Sequence, residues 1–226
     1  LKYYGEKAIN PALTKDKLHE ENATDIYDGL KELKGSALKV AQMLSMEKNL
    51  LPQSYVEKFS LSQFSVPPLS APLVRKTFKN SFKQYPEEIF DAFTPDSVNA
   101  ASIGQVHKAE KDGKQLAVKI QYPGVRDSIR TDIALVKPIA VRMFNLQGTS
   151  DEYFQEVEDK LTEETDYHLE LQQSEAVRLA CSQIEGLKFP KYYPQYSSDK
   201  IITMDWMRGQ HLSEFCQSET NVQKRH

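Results

Sequence analysis

Cysteine is scarce in this sequence: Cys181 and Cys216 are the only two in 226 residues. They are too few for a disulfide framework and too far apart for a metal-ligand pair, so the composition suits a reducing intracellular compartment. Long apolar runs are missing as well. None approaches the ~18 residues of a membrane span, and the opening Leu1-Lys2-Tyr3-Tyr4-Gly5 is no signal peptide. Excess positive charge is also lacking: 29 Lys and Arg against 32 Asp and Glu give a net charge of −3. That balance argues against binding along a phosphate backbone, and nucleic acid is not an expected partner. What remains is a globular composition, 39% hydrophobic and 27% charged, long enough for one large domain with a real core. A first residue other than Met leads us to expect a piece of something longer.

The charge is unevenly spread. Between Asp151 and Ala180 ten acidic residues face only Lys160 and Arg178, so one segment is electrostatically distinct. Its pattern predicts one long helix from Ser150 to about Gln183. In helical steps the apolar stripe runs Phe154, Val157 and Leu161, then reaches Glu164 and His168 before Leu171. A carboxylate and an imidazole thus fall in slots reserved for core.

Elsewhere the elements are short. Residues 22–48 have few breakers and many helix formers and predict helix, with further short helices at about 52–61 and 72–83 flanking the Pro-rich connector Val66–Pro72. From Phe93 to Gly124 the texture becomes strand-like. Residues 103–109 read as one strand, Lys111-Asp112-Gly113-Lys114 as a tight hairpin turn, and residues 115–121 as the partner strand. In that partner Leu116, Val118 and Ile120 share one face while Ala117 and Lys119 share the other. Helix resumes at 125–136, with Pro138 kinking it or opening another through Phe144. Residues 200–205 predict a last strand, Arg208-Gly209 a turn, and Leu212–Cys216 the start of a helix.

Two constellations carry chemistry. A strand, a turn of small residues, a second strand, a hairpin and a lysine-bearing strand is how protein kinases hold ATP phosphates, through G-x-G-x-x-G-x-V and V-A-I-K. Here Asn99-Ala100-Ala101-Ser102-Ile103-Gly104-Gln105-Val106 keeps the third glycine and the valine, and Ala117-Val118-Lys119 follows at hairpin distance. Alanine in place of glycine denies the backbone positive φ and adds a methyl group where phosphates would approach. A strand lysine is equally compatible with a solvated sheet face. The second constellation is the stretch from Ser36 to Met46, apolar except at Ser36, Lys39, Gln42 and Ser45. A helix apolar nearly all round is buried, and a buried lysine needs a partner. Glu164 is the candidate. The alternative is a surface helix of loosely hydrophobic composition.

These residues together resemble the UbiB family of atypical kinase-like proteins, the group linked to quinone biosynthesis. Lys39-Val40-Ala41-Gln42 resembles its K-x-G-Q motif, Ala100 to His107 its alanine-rich loop, Lys119 the strand lysine in A-V-K-I-Q-Y-P-G, and Glu164-Thr165-Asp166 its E-x-D motif. The resemblance covers about residues 31–215. It implies an α+β fold: a protein-kinase-like N-lobe, small antiparallel sheet plus long helix, with a helical N-terminal extension over the nucleotide pocket. The implied division is 1–92 for the extension, 93–208 for the N-lobe and 209–226 for the start of an incomplete C-lobe.

The resemblance also implies roles. Lys119 would contact the α- and β-phosphates of ATP or ADP and pair with Glu170, while Ala100, Ala101, Ser102, Gly104 and Val106 would form the loop over the nucleotide. The backbone of Asp205, Trp206 and Met207 would meet adenine. Lys39 and Gln42 would reach Glu164 and Asp166. Two departures stand out: Ala41 replaces the motif glycine and Asn99 the first loop alanine. None of the five histidines begins a His-x-Asp, and no Asp-x-Gly occurs. Catalytic residues and Mg²⁺ ligands are therefore expected outside this chain. The expectation is the ATP-binding N-lobe of a UbiB-type ATPase, cytoplasmic or peripheral to a membrane, with quinone-pathway proteins or membrane lipid as partners. The alternative is a non-catalytic kinase-like interaction module that docks a partner protein or a membrane surface.

Overall fold

The computed structural model describes residues 68–101, 103–144, 150–210 and 212–218, with isolated helical positions between 17 and 28 and between 53 and 57. Lys39, Gln42, Ser102 and the apolar stretch from Ser36 to Met46 lie outside the described residues.

Pro72 opens the helix α1 (Ala71–Phe82), where its fixed φ suits the first turn, and Lys83 closes it with φ of 61° and its N–H on the Lys79 carbonyl. Val74 and Phe78, one turn apart, are its buried residues. A single helical turn α2 (Pro86–Ile89) leads into a sheet of β1 (Ala92–Phe93), β2 (Asn99–Ala101), β3 (Gly104–Lys111), β4 (Lys114–Gln121) and β5 (Ile201–Asp205). All pairs are antiparallel, in the order β1-β3-β4-β5, with β2 also on β3. The β3–β4 turn is the expected one: Asp112 and Gly113 have φ of 50° and 73°, the two positive values that match a hairpin turn to strand twist.

The predicted alternation in β4 decides which side of the sheet does what. Leu116, Val118 and Ile120 are buried with Val74, Phe78, Phe90, Ala109 and Ile201 in one core under α1. The Phe78 ring meets those of Phe90 and Phe93 edge-on in it, with centroids 6.1 and 5.4 Å away, and Phe90 and Phe93 stack on each other. On the same face a polar chain is threaded. The Leu69 amide donates to Gln105 Oε1 (2.6 Å), Gln105 Nε2 donates to His107 Nε2 (2.8 Å), and His107 Nδ1 donates to the Thr94 carbonyl (2.8 Å). A carbonyl can only accept, so the ring must carry its proton on Nδ1 and stay neutral. Burial holds the His107 pKa below its ordinary value.

On the other face the helices follow. α3 (Val125–Phe144) runs unbroken through Pro138 and buries Val125, Ile129, Ile133 and Val136; α4 (Ser150–Glu164) answers with Phe154, Val157 and Leu161. Its acidic side is solvated and tied to α3 by Arg130 to Glu158 and Lys137 to Asp151. The single acidic helix expected from the sequence is two helices: α4 stops at Glu164 and α5 (Tyr167–Ala180) begins after Asp166. The stripe changes accordingly, with Thr165 and Tyr167 buried and His168 exposed. A short α6 (Leu212–Ser218) ends the described residues. Among the described residues no helix is long and apolar enough to cross a membrane.

Gly104 is explained by close approach: a Cβ there would lie 2.4 Å from the Ile120 carbonyl oxygen, a backbone atom. Gly104→Ala is therefore expected to destabilise the fold by about 1–3 kcal/mol, seen as a lower urea midpoint. His107 gives a pH dependence whose sign follows from its lowered pKa. Below ~6.5 the unfolded chain takes up a proton that the folded ring refuses, so stability falls as pH drops through that range. In His107→Gln the loss of stability between pH 7.5 and 5.5 should shrink, and ring ¹⁵N shifts of the folded protein should report the neutral Nδ1–H tautomer at pH ~6.5.

Candidate functional site

Register builds the site before any side chain does. Asn99, Val106, Lys119 and Ile202 lie opposite one another across β2, β3, β4 and β5, and directly opposed residues share a face. That face is turned away from the α1 core. Along β4 it carries Ala117, Lys119 and Gln121, and beside Ala117 it carries Lys108 and Met204.

Lys119 is the cation of this face that α5 meets. Its Nζ lies 2.9 Å from Oε2 and 3.2 Å from Oε1 of Glu170, in the first turn of α5. The two side chains are 18% and 28% exposed, which places the pair between a weak surface bridge and a costly buried one. The same ammonium sits 4.9 Å from the ring centroid of Tyr167, within cation–π range. Tyr167 is fully buried. Burial first, then the Glu170 and Glu164 carboxylates, pushes its phenol well above the ordinary value, so it stays neutral. Neither its hydroxyl nor that of Tyr122 has a hydrogen-bond partner among the described residues.

The helix break supplies the remaining geometry. Asp166 has extended backbone (φ −92°, ψ 91°), and its Oδ1 accepts from the His168 and Leu169 amides at 3.1 and 3.0 Å. It is the N-cap of α5. Asp166 therefore spends its carboxylate on backbone amides, while Glu170 spends its own on Lys119. Among the described residues there is no group of three or more His, Cys, Asp or Glu able to hold a metal ion.

The alanine-rich segment is a hairpin. Asn99, Ala100 and Ala101 pair with Val106, Gln105 and Gly104, which closes the turn with backbone bonds where a glycine-rich loop would arch freely. Alternation turns Ala101 toward the Lys119 side and Ala100 toward the α1 side.

A family model described as the ABC1 atypical kinase-like domain matches residues 61–226. The chain belongs to the ABC1 family. It is 32% identical over 222 residues to an aarF domain-containing protein kinase from the chloroplast of Arabidopsis thaliana, covering 94% of this chain and 32% of the relative. It is 30% identical over 196 residues to the mitochondrial atypical kinase COQ8 of Saccharomyces cerevisiae, covering 85% and 39%. Among solved structures, Mycobacterium tuberculosis Rv3197 in complex with erythromycin superimposes with a TM-score of 0.59 at 29% identity, covering 92% of this chain and 54% of that one. The chain thus spans about a third of the length of these curated relatives. The sheet with α5 against Lys119 is a kinase-like N-lobe.

Within this ABC1 N-lobe the remaining candidates are spread out. The Asp205 side chain points to the α1 face, where it accepts from Tyr193 Oη at 2.7 Å and from the Lys191 amide at 3.0 Å. The Asp205 amide donates to the Lys191 carbonyl and the Trp206 amide to the Gln115 carbonyl. Met207 is exposed, and Lys108 lies 5.5 Å from the Trp206 ring centroid. Glu164 is half-buried at the end of α4, and Gly104 is fixed by β4. A cavity of about 230 Å³ lies off this face, between α1 and the Gln121–Gly124 end of β4, with Lys76 and Lys200 at its walls. Sequence reasoning missed Tyr167 and Gln121; both stand next to recognised motif residues, which was the available signal.

The Lys119–Glu170 pair should show measurable coupling. A double-mutant cycle of Lys119→Met and Glu170→Gln by urea unfolding is expected to give about 1–3 kcal/mol. Additive effects would make the pair a solvated surface contact.

Proposed function

We propose that this chain forms the phosphate-side half of an adenine-nucleotide site, ATP or ADP, in an atypical kinase or ATPase of the UbiB type. The observation that supports it best is the half-buried Lys119 ammonium, held by Glu170 and the Tyr167 ring on the same face as Val106. A cation pre-positioned there needs little rearrangement to meet an anion. Ala117, Val106 and Met204 give the apolar wall beside it. Ala100, Ala101 and Gly104 belong to the hairpin that would cover the phosphates, and Ser102 is proposed to join them there. The adenine edge falls to the chain beyond Trp206, at Met207, because the amides of Asp205 and Trp206 are already committed.

The donor set fits the phosphates better than the metal. When bound, Mg²⁺ would neutralise phosphate charge, but the nearby carboxylates of Asp166 and Glu170 are committed to amides and to Lys119. Its ligands are assigned to the protein beyond this chain. Lys39 and Gln42 are proposed to close over the same face from the extension, with Lys39 meeting Glu164. Quinone-pathway proteins or membrane lipid are the partners the relationship suggests, and a role in quinone metabolism follows only through them.

Lys119→Ala in the full-length protein should weaken ATP and ADP binding about ten- to hundredfold by calorimetry, the worth of a charge-assisted bond of ~1.5–3 kcal/mol. Unchanged affinity would favour the interaction-module reading, whose physical support is the exposed Val177, Leu179, Ile184 and Leu187 at and beyond the end of α5. For the extension, Lys39→Ala should cost about 3–5 kcal/mol if the lysine is buried against Glu164. Adding Glu164→Gln should then recover part of that loss, and additivity in the urea cycle removes the pairing.

A further inference from the structure

A continuous helix through residues 161–172 would direct the Leu169 amide to the Thr165 carbonyl. It goes instead to Asp166 Oδ1, which leaves the Thr165 carbonyl without its helical donor at a site where Thr165 is 2% exposed. A buried carbonyl left unmatched is costly. Gln121 supplies the donor: its Nε2 lies 2.9 Å from the Thr165 oxygen. Lys200 Nζ donates to Gln121 Oε1 at 3.1 Å, and the Gln121 amide donates to the Lys200 carbonyl at 2.9 Å. Because a carbonyl only accepts and an ammonium only donates, the carboxamide can face one way only. Gln121 is 1% exposed.

Gln121 and Lys119 are two residues apart on β4 and share a face, while their partners Thr165 and Glu170 flank the start of α5. The strand therefore grips the helix junction at two points. We propose that Gln121, oriented by Lys200, is a positioning residue that sets α5 on β4 so that Glu170 meets Lys119. It acts through the junction and touches neither member of the pair in the contacts described. The inference deepens the nucleotide reading by naming what holds its lysine, but the geometry it invokes needs no nucleotide.

The test is the reactivity of the Lys119 amine toward a brief, limiting dose of an acylating reagent, read by peptide mass spectrometry on the full-length protein without nucleotide. Exposed Lys188 is the internal reference. Glu170→Gln sets the level for a released lysine. A hydrogen bond of this kind is worth about two- to tenfold in an equilibrium, so Gln121→Leu should raise Lys119 labelling by about that factor with Lys188 unchanged. Wild-type labelling in Gln121→Leu overturns the proposal. Phe78→Leu, which loosens the opposite face, should leave Lys119 at the wild-type level; an equal rise there would show general loosening and also overturn it. If Gln121→Leu does not fold, Lys200→Met decides, since it removes only the group that orients the carboxamide. A rise in Lys119 labelling supports the proposal and no rise sinks it. Should Lys119→Ala leave nucleotide affinity unchanged, the nucleotide reading fails while the labelling result stands on its own.

Discussion

One interrupted helix governs the face that carries Lys119. Had α4 continued through Thr165, the residues after it would keep α4's direction and its packing against α3. The break at Asp166 lets the chain restart as α5 with Glu170 in its first turn, beside β4. The hydrogen bonds lost at the break are largely replaced nearby. Two amides lose helical acceptors and gain Asp166 Oδ1, a cap worth roughly 0.5–2 kcal/mol over alanine. Of the two carbonyls they leave behind, that of Thr165 gains Gln121. No glycine or proline is involved, so the bend is held by hydrogen bonds and not by backbone permissiveness.

This arrangement changes how the acidic motif reads. Glu164, Thr165 and Asp166 look from sequence like a cluster of carboxylates for pairing. In three dimensions Asp166 is a cap, Thr165 is a buried bracket, and Glu164 is the member left half-buried toward the Tyr167 side. Clustered acids around a lysine would repel one another unless each had its own donors. Here each of the two neighbouring acids does: amides for Asp166, an ammonium for Glu170. That separation of duties lets these two acids sit close to each other at the start of α5.

Much of the sheet was legible in the sequence, because period-two patterns and turn chemistry are local. Asp112-Gly113 announced its turn, Leu116, Val118 and Ile120 their face, and Ala117 and Lys119 the opposite one. Pro72 marked the start of α1 to within one residue. The break between α4 and α5 was not legible. Thr165-Asp166-Tyr167 contains no glycine or proline, Asp166 reads as one more acid of the segment, and the donor that matches the freed Thr165 carbonyl sits more than forty residues earlier, in a glutamine that reads as part of the strand. Gly104 carries a second requirement that the sequence did not display: it matches a phosphate-loop glycine by position, and a Cβ there would also run into the Ile120 carbonyl.

The same logic bears on what this lobe can contribute to a nucleotide. In a glycine-rich loop, unpaired amides can turn toward phosphates. Here Asn99, Ala100 and Ala101 are paired to β3, and the amides of Asp205 and Trp206 are taken by Lys191 and Gln115. With so much backbone already matched, the proposed nucleotide contact would rest on side chains, and Lys119 is the cation that Glu170 and the Tyr167 ring hold beside the junction. A site with one such cation is sensitive to where it points: a shift of an ångström trades a charge-assisted bond for a water-separated one. If the two-point grip of β4 on the junction limits that shift, the proposed anion contact would depend on Gln121 and Asp166 as well as on the lysine itself.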